Sequence, residues 1–424
     1  MEKPNRMDVP GENIGPEMRG KYTRRGFLGA GSAVLAVAGI APVIHAADGD
    51  ISDKSKSDPG PKNPVLDGQN PDSVTPPRTD AGRVRAFKYP FSFANKRMYE
   101  GGWSREVTIR ELPVSRSIAG VNMRLTAGGV RELHWHTAGE WSLMLYGEAR
   151  ITAVDAEGKS FVADVKKNDL WYFPAGIPHS LQGIGSDGAE FMLVFDDGNF
   201  SEFGTVLLSD TIAHTPREVL AKNFGVDEKA LQNTPKHELF IFQSDVPGPL
   251  EADQKAAEGK LGASSQDFAF RTMEMPVTKR TKGGEVRIVD SSKFKASTTI
   301  AMAMVTLRPG GLRELHWHPN ADEWQYYITG KGRMTIMATG GGGRTMDFEA
   351  GDVGYVEETL PHYIENTGDT DLVFLEMFKS SFYQDFSLSE WLTHTPPALV
   401  MAHLHIDKAT LDAIPKVEHI IMPV

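Results

Sequence analysis

The sequence predicts an all-β protein built from two tandem β-barrels with short flanking helices. Three observations carry that expectation. The hexapeptide Arg131-Glu132-Leu133-His134-Trp135-His136 returns unchanged as Arg313-Glu314-Leu315-His316-Trp317-His318, in a chain with only 13 histidines. Short apolar runs such as Val121-Asn122-Met123-Arg124-Leu125 alternate with turn sequences such as Asp155-Ala156-Glu157-Gly158-Lys159 and Ser186-Asp187-Gly188, the texture of antiparallel strands. At 424 residues, with 42 glycines and 26 prolines, the chain exceeds one ordinary core and is rich in turn formers.

Composition narrows the function classes. A formal net charge of −11 and a pI near 5.7 argue against nucleic acid as a partner, because a phosphate backbone needs clustered cations. A small anionic substrate stays open, since it responds to the charge of a pocket and not to the global sum. There is no cysteine, which excludes disulfides, thiolate nucleophiles and sulfur-ligated metals. Any metal must be held by nitrogen and oxygen.

Residues 1–46 read as an export address. Thr23-Arg24-Arg25-Gly26-Phe27-Leu28 precedes a weakly apolar, Gly/Ala-rich run, and Ile44-His45-Ala46 offers a small-residue cleavage site. Paired arginines before Phe-Leu resemble the twin-arginine signal, which implies a periplasmic or extracellular destination and no stable membrane association after cleavage. Retention as an N-terminal anchor is the alternative. Residues 47–85, rich in Pro, Gly, Asp and Lys, read as a linker and extended arm. The first barrel is expected over 86–236, a connection over 237–267, and the second barrel with C-terminal helices over 268–424. Helical patterning follows His214-Thr215-Pro216 and His394-Thr395-Pro396, so the repeat reaches the ends of both units, with proline suiting the first helical turn.

The repeat carries its chemistry at matched offsets. His134 and His316, and His136 and His318, are 182 apart; Glu140 and Glu323, and His179 and His362, are 183 apart. On a strand the two histidines of a His-x-His share one face, so both imidazoles point into the same barrel. The glutamate after the next turn and the distal histidine complete a set of three imidazoles and one carboxylate. Such a set suits a divalent first-row metal with open positions left for ligands. The candidate metal ligands are therefore His134, His136, Glu140 and His179 in one half and His316, His318, Glu323 and His362 in the other. Trp135 and Trp317 fall on the opposite face and read as outer packing.

The spacing Gly128-x5-His134-x-His136-x3-Glu140-x6-Gly147 resembles the first cupin motif, and Gly310-x5-His316-x-His318-x4-Glu323-x6-Gly330 matches it again. The second motif is looser: Asn168 stands where glycine is usual in one copy, and Glu357 and Thr359 replace proline and glycine in the other. Over most of the chain, from Asp67-Gly68-Gln69-Asn70-Pro71-Asp72 to the C-terminal helices, the sequence resembles bicupin oxalate decarboxylases. Asp169-Leu170-Trp171-Tyr172-Phe173-Pro174 and His318-Pro319-Asn320 are part of that likeness.

The resemblance implies jelly-roll-type cupin barrels, manganese at both sites, dioxygen as co-catalyst, and conversion of oxalate to formate and carbon dioxide in a homo-oligomer, trimeric or hexameric. It makes Arg131 and Arg313 the arginines beside the metals and Glu202, in Phe200-Ser201-Glu202-Phe203-Gly204-Thr205, the proton donor on a mobile lid over the first site. Arg131 and Arg313 lie three residues before the first histidine, an odd spacing that an ideal strand would turn away from the ligands. Glu376 and Tyr383 match residues near the second metal, where no Ser-Glu lid is present and an auxiliary role is expected. Family lids carry polar residues after the glutamate, whereas this chain has Phe203-Gly204. Two alternatives stay open: an oxalate oxidase giving carbon dioxide and hydrogen peroxide, and a non-catalytic metal-binding bicupin.

Overall fold

A computed structural model describes residues 59–423; the signal reading of residues 1–46 lies outside them. Two antiparallel barrels follow one another, each made of two facing sheets. In the first, Gly102–Val107, Ala119–Leu125, Ala189–Phe195, the start of Glu140–Val154 and Asp169–Phe173 lie side by side, while Gly129–Trp135, His179–Gly183 and Ser160–Lys166 form the facing sheet with the rest of Glu140–Val154. The long strand Glu140–Val154 belongs to both. The second barrel repeats the order from Gly284–Val289 onward. Alternating positions turn apolar side chains inward, and a continuous core of buried residues, with Trp141, Trp171 and Trp324 among the largest, runs through both units. The barrels approach closely at Gly120, where a Cβ would lie 2.3 Å from the ring of Trp324.

The expected boundaries need one correction, because each barrel borrows its outermost strand from the segment preceding the other. Lys88–Pro90, assigned to the first unit, pairs with Asp352–Val356 of the second; Ala269–Arg271, assigned to the second, pairs with Asp169–Phe173 of the first. The exchange is symmetric in chemistry as well. Lys88 pairs with Asp352 at 3.0 Å and Arg271 with Asp169 at 2.7 Å. Each covers a sheet edge that would otherwise stand open.

Residues 60–85 are also more than a linker. Short helices Pro64–Gln69 and Pro71–Val74, the first capped by Asn63, precede contacts to the second barrel in which Asp80 accepts from Thr345 and Asp72 pairs with Arg333. Helices Leu208–Ala213 and Arg217–Phe224 follow the first barrel, and Leu388–Thr393 and Pro397–Leu404 the second, as the repeated His-Thr-Pro predicts. Among the described residues no helix is long and apolar enough to cross a membrane.

Candidate metal centres

The repeated hexapeptide forms the strands Gly129–Trp135 and Leu312–Trp317, and each contains a bulge. Arg131 stands opposite Leu181 and His134 opposite His179, three steps on one strand against two on its partner. Arg313 and His316 stand opposite Ile364 and His362 with the same mismatch. The extra residue shifts the alternation, so the arginine shares the ligand face despite its odd spacing. All of Arg131, His134, His136, Arg313, His316 and His318 are buried. Glu132 and Glu314, between arginine and histidine, serve structure: Glu132 accepts from the Ser209 and Phe240 amides, and Glu314 from those of His419 and Ile420. These carboxylates tie the segment after each barrel to its ligand strand.

All eight expected ligands converge as two sets. Within each, the ligand atoms lie within 4.8 Å of one another. In the first, Glu140 Oε2 is 3.2 Å from His136 Nε2 and 3.4 Å from His179 Nε2; in the second, Glu323 Oε2 is 3.0 Å from His318 Nε2 and 2.9 Å from His362 Nε2. Every imidazole places Nδ1 against a backbone carbonyl: His134 on Glu132, His136 on Ala138, His179 on Ile177, His316 on Glu314, His318 on Gln384 and His362 on Leu360. An Nδ1–H donor leaves the Nε2 lone pair facing inward, the tautomer a metal requires.

Electrostatics agree. Burial, with Arg131 and the neighbouring imidazoles adding to it, holds His134 well below the usual histidine range, and burial likewise lowers His179. His316 is lowered for the same reasons beside Arg313. Burial would lower His318 too, but Glu323 outweighs it and raises that group. Burial would raise Glu140 and Glu323, yet the flanking histidines hold both well below the ordinary carboxylate range. The buried His179 Nε2 has no hydrogen-bond partner. Three imidazoles and a carboxylate converging on one buried point are a donor set for a divalent cation.

The arginines differ. Arg131 donates one hydrogen bond, from Nη1 to the Phe240 carbonyl at 3.3 Å, and its guanidinium lies 3.9 Å from the Phe240 ring centroid. Burial pushes it down to about 10, so it remains a cation at neutral pH. Arg313 instead donates to Glu376 at 3.2 Å, Tyr383 at 2.7 Å and Asp385 at 2.8 Å.

The cupin family model matches residues 92–232 and 273–412. Oxalate decarboxylase OxdC of Bacillus subtilis (strain 168) is 51% identical, over 85% of this chain and 92% of the relative. An oxalate decarboxylase of Arthroderma benhamiae is 38% identical over 91% of this chain and 96% of its own. The chain belongs to the oxalate decarboxylase family of bicupins. A solved structure of Bacillus subtilis oxalate decarboxylase at pH 4.6 superposes with TM-score 0.84 at 50% identity, over 88% of this chain and 96% of that one. Another, from work on the Mn(II) centres of the same Bacillus subtilis enzyme, gives 0.84 and 50% over 87% and 97%.

In this bicupin the segment Phe200–Thr205, expected to be a lid, covers the first centre. Glu202 begins a single turn, Glu202–Gly204, capped by Ser201 Oγ, which accepts from the Phe203 amide at 3.3 Å. The acid is buried and joins Arg131, His134, His136, Glu140 and Thr205 around a cavity of about 10 Å³, room for roughly one water. Phe200 stacks on Phe195 and meets His136 edge-on as an apolar roof. At the second centre Glu376 keeps one buried oxygen without a partner, and burial raises it to about 7. The family resemblance did not single out Phe240, Arg97, Ser104 or Asp385, which reach the sites through space.

Proposed function

We propose that this chain is a manganese-dependent oxalate decarboxylase that turns oxalate into formate and carbon dioxide at its first centre, with dioxygen as co-catalyst. The observation that carries the reading is the meeting of Arg131, hydrogen-bonded to a carbonyl and to no carboxylate, and a buried carboxyl, Glu202, with His134, His136 and Glu140 around one small cavity beside His179. Those four residues, and His316, His318, Glu323 and His362 in the second barrel, would each hold one manganese. Bound manganese supplies Lewis acidity and a one-electron couple, which eases a C–C cleavage whose heterolytic product is poorly stabilised.

The protein's own groups do the remainder. Arg131 pairs its fork with carboxylate oxygens of oxalate and holds the dianion in place. The cavity is too small for oxalate as it stands, so the lid must open to admit substrate and close again before reaction. Closure brings the Phe195–Phe200 stack against His136 and limits water. Each turnover consumes one proton, which bonds to the carbon left after carbon dioxide departs; Glu202, protonated on its free oxygen beforehand and ionised again by the transfer, is the group we assign to deliver it. Arg313, committed to Glu376 and Asp385, leaves the second centre an auxiliary role.

Product stoichiometry with metal analysis tests this. About one formate per oxalate with two manganese per chain is expected, and hydrogen peroxide in place of formate would make the chain an oxidase. Glu202→Ala is expected to lower formate production by roughly 10²-fold or more at unchanged metal content. We also read the protein as an exported homo-oligomer, trimeric or hexameric. N-terminal sequencing of the exported protein and its mass in solution check that reading.

A further inference from the structure

The lid acid is held by a hairpin outside the repeated motif. Arg97–Tyr99 pairs with Gly102–Val107 so that Arg97 stands opposite Ser104, and alternation puts Arg97, Ser104 and Glu106 on one face. That face meets the lid. Arg97 Nη2 forms an ion pair with Glu202 Oε2, and Ser104 Oγ donates to the same oxygen at 3.0 Å. Glu106 Oε2 accepts the Glu202 amide at 3.3 Å and lies 3.6 Å from Arg97 Nη2. The other Glu202 oxygen is buried without a partner. One oxygen is thus anchored and the other kept available inside the site.

The residue after the acid completes the arrangement. The Phe203 ring centroid lies 4.5 Å from the Arg97 guanidinium, while the side chain remains 74% exposed. Its inner face therefore covers the cation and its outer face meets water. Gly204 is not forced by its surroundings, since a Cβ there would meet nothing within 4 Å. The aromatic that departs from the family's polar lids has a partner on the hairpin. Arg97 belongs to the barrel, whereas Glu202 and Phe203 belong to the lid, so both contacts form together when the lid shuts.

We propose that Arg97 is the positioning residue of this lid: it latches the Glu202 carboxylate inside the closed cavity, and Phe203 seals the latch by capping the guanidinium. This rests on the reading of Glu202 as proton donor. An ion pair whose acid is buried and whose cation is partly covered sets how long the lid stays shut, and the ring shields that pair from the water that would weaken it. Without the latch the lid opens more often, protonation slows and oxidation to carbon dioxide and peroxide gains.

The test compares the manganese-loaded wild type with Arg97→Met, Arg97→Lys and Phe203→Leu. Without substrate, amide exchange at Glu202 to Thr205 is expected to quicken about tenfold in Arg97→Met, less in Arg97→Lys, and roughly two- to fivefold in Phe203→Leu. With oxalate and oxygen, the formate-to-peroxide ratio should fall in the same order, while the KM for oxalate stays within about threefold because Arg131 is untouched. Unchanged exchange in metal-loaded Arg97→Met overturns the proposal, and so does faster exchange with an unchanged product ratio. If Arg97→Met fails to fold, Phe203→Leu at its exposed position carries the same readouts. A wild type that makes no formate defeats the functional reading instead, and the exchange comparison then decides the latch by itself.

Discussion

Arg131 and Arg313 occupy the same place in the two barrels, beside the same bulge and the same donor set, yet they have different neighbours. Each leans on a residue in the left-handed region, Phe240 at φ 56° or Ile420 at φ 59°, whose carbonyl accepts a hydrogen bond from the guanidinium. Phe240 adds an aromatic face and no charge. The segment over Arg313 instead brings Tyr383 and Asp385, while Glu376 reaches it from the strand Leu372–Phe378 of the facing sheet. Duplicating a ligand set therefore did not duplicate its surroundings. The two hexapeptides match residue for residue, whereas the groups that surround their arginines differ.

The same substitution in both barrels separates these roles. Arg313→Met strands Asp385 and Glu376 in the interior without their cation, and a loss of about 3–5 kcal/mol in unfolding free energy is expected, read as a lower denaturation midpoint. Arg131→Met leaves no carboxylate in hydrogen-bonding contact with it unpaired, so its cost appears in function: a roughly 10- to 100-fold rise in KM for oxalate, with stability changed far less. An equal stability loss in both variants would erase the distinction drawn between the two arginines.

A gentler probe lies at the rim of the second centre. Glu418 hydrogen-bonds Asp385, and burial, with that carboxylate adding to it, pushes Glu418 up to about 8. One of its oxygens is buried without a partner. A raised folded-state value means that the folded chain keeps a proton the unfolded chain has lost between about pH 4.5 and 8. This group's contribution is thus fully present below pH 4.5 and is lost as pH rises to 8. Glu418→Gln should match the wild type near pH 5 and exceed it near pH 8 in thermal stability. A parallel pH dependence in the two proteins would remove Glu418 from the account.

The ligands were legible because a metal demands particular residue types, and strand alternation delivers them at fixed spacing. The bulge was not, because register belongs to a pair of strands and only one is visible at a time. The exchanged edges Lys88–Pro90 and Ala269–Arg271 escaped for the same reason: their partners lie 264 and 100 positions away, counted from Tyr89 to Val353 and from Leu170 to Phe270. Arg97 sits 105 positions before Glu202, and nothing in its local sequence marks it as a partner of the lid. Departures from the second cupin motif were visible as departures, but their meaning needed backbone angles.

Those angles supply the smallest effect. Thr359 takes φ 67° and its amide donates to the His318 carbonyl, while Gly176 takes φ 79° and donates to His136. The backbone shape of the cupin turn survives in both barrels, but the second imposes it on a β-branched residue, for which this region is strained. In the other departure the burden is light, since Asn168 at φ 71° is a residue type that tolerates the region. Thr359→Gly is expected to stabilise the fold by about 1 kcal/mol, and Gly176→Ala to cost a similar amount, because a Cβ at Gly176 meets nothing within 4 Å and only the torsion is penalised. Opposite signs in the denaturation midpoints would show that the two turns differ by torsional strain alone. If Thr359→Gly were neutral or destabilising, the threonine side chain would have to contribute an interaction that offsets its strain.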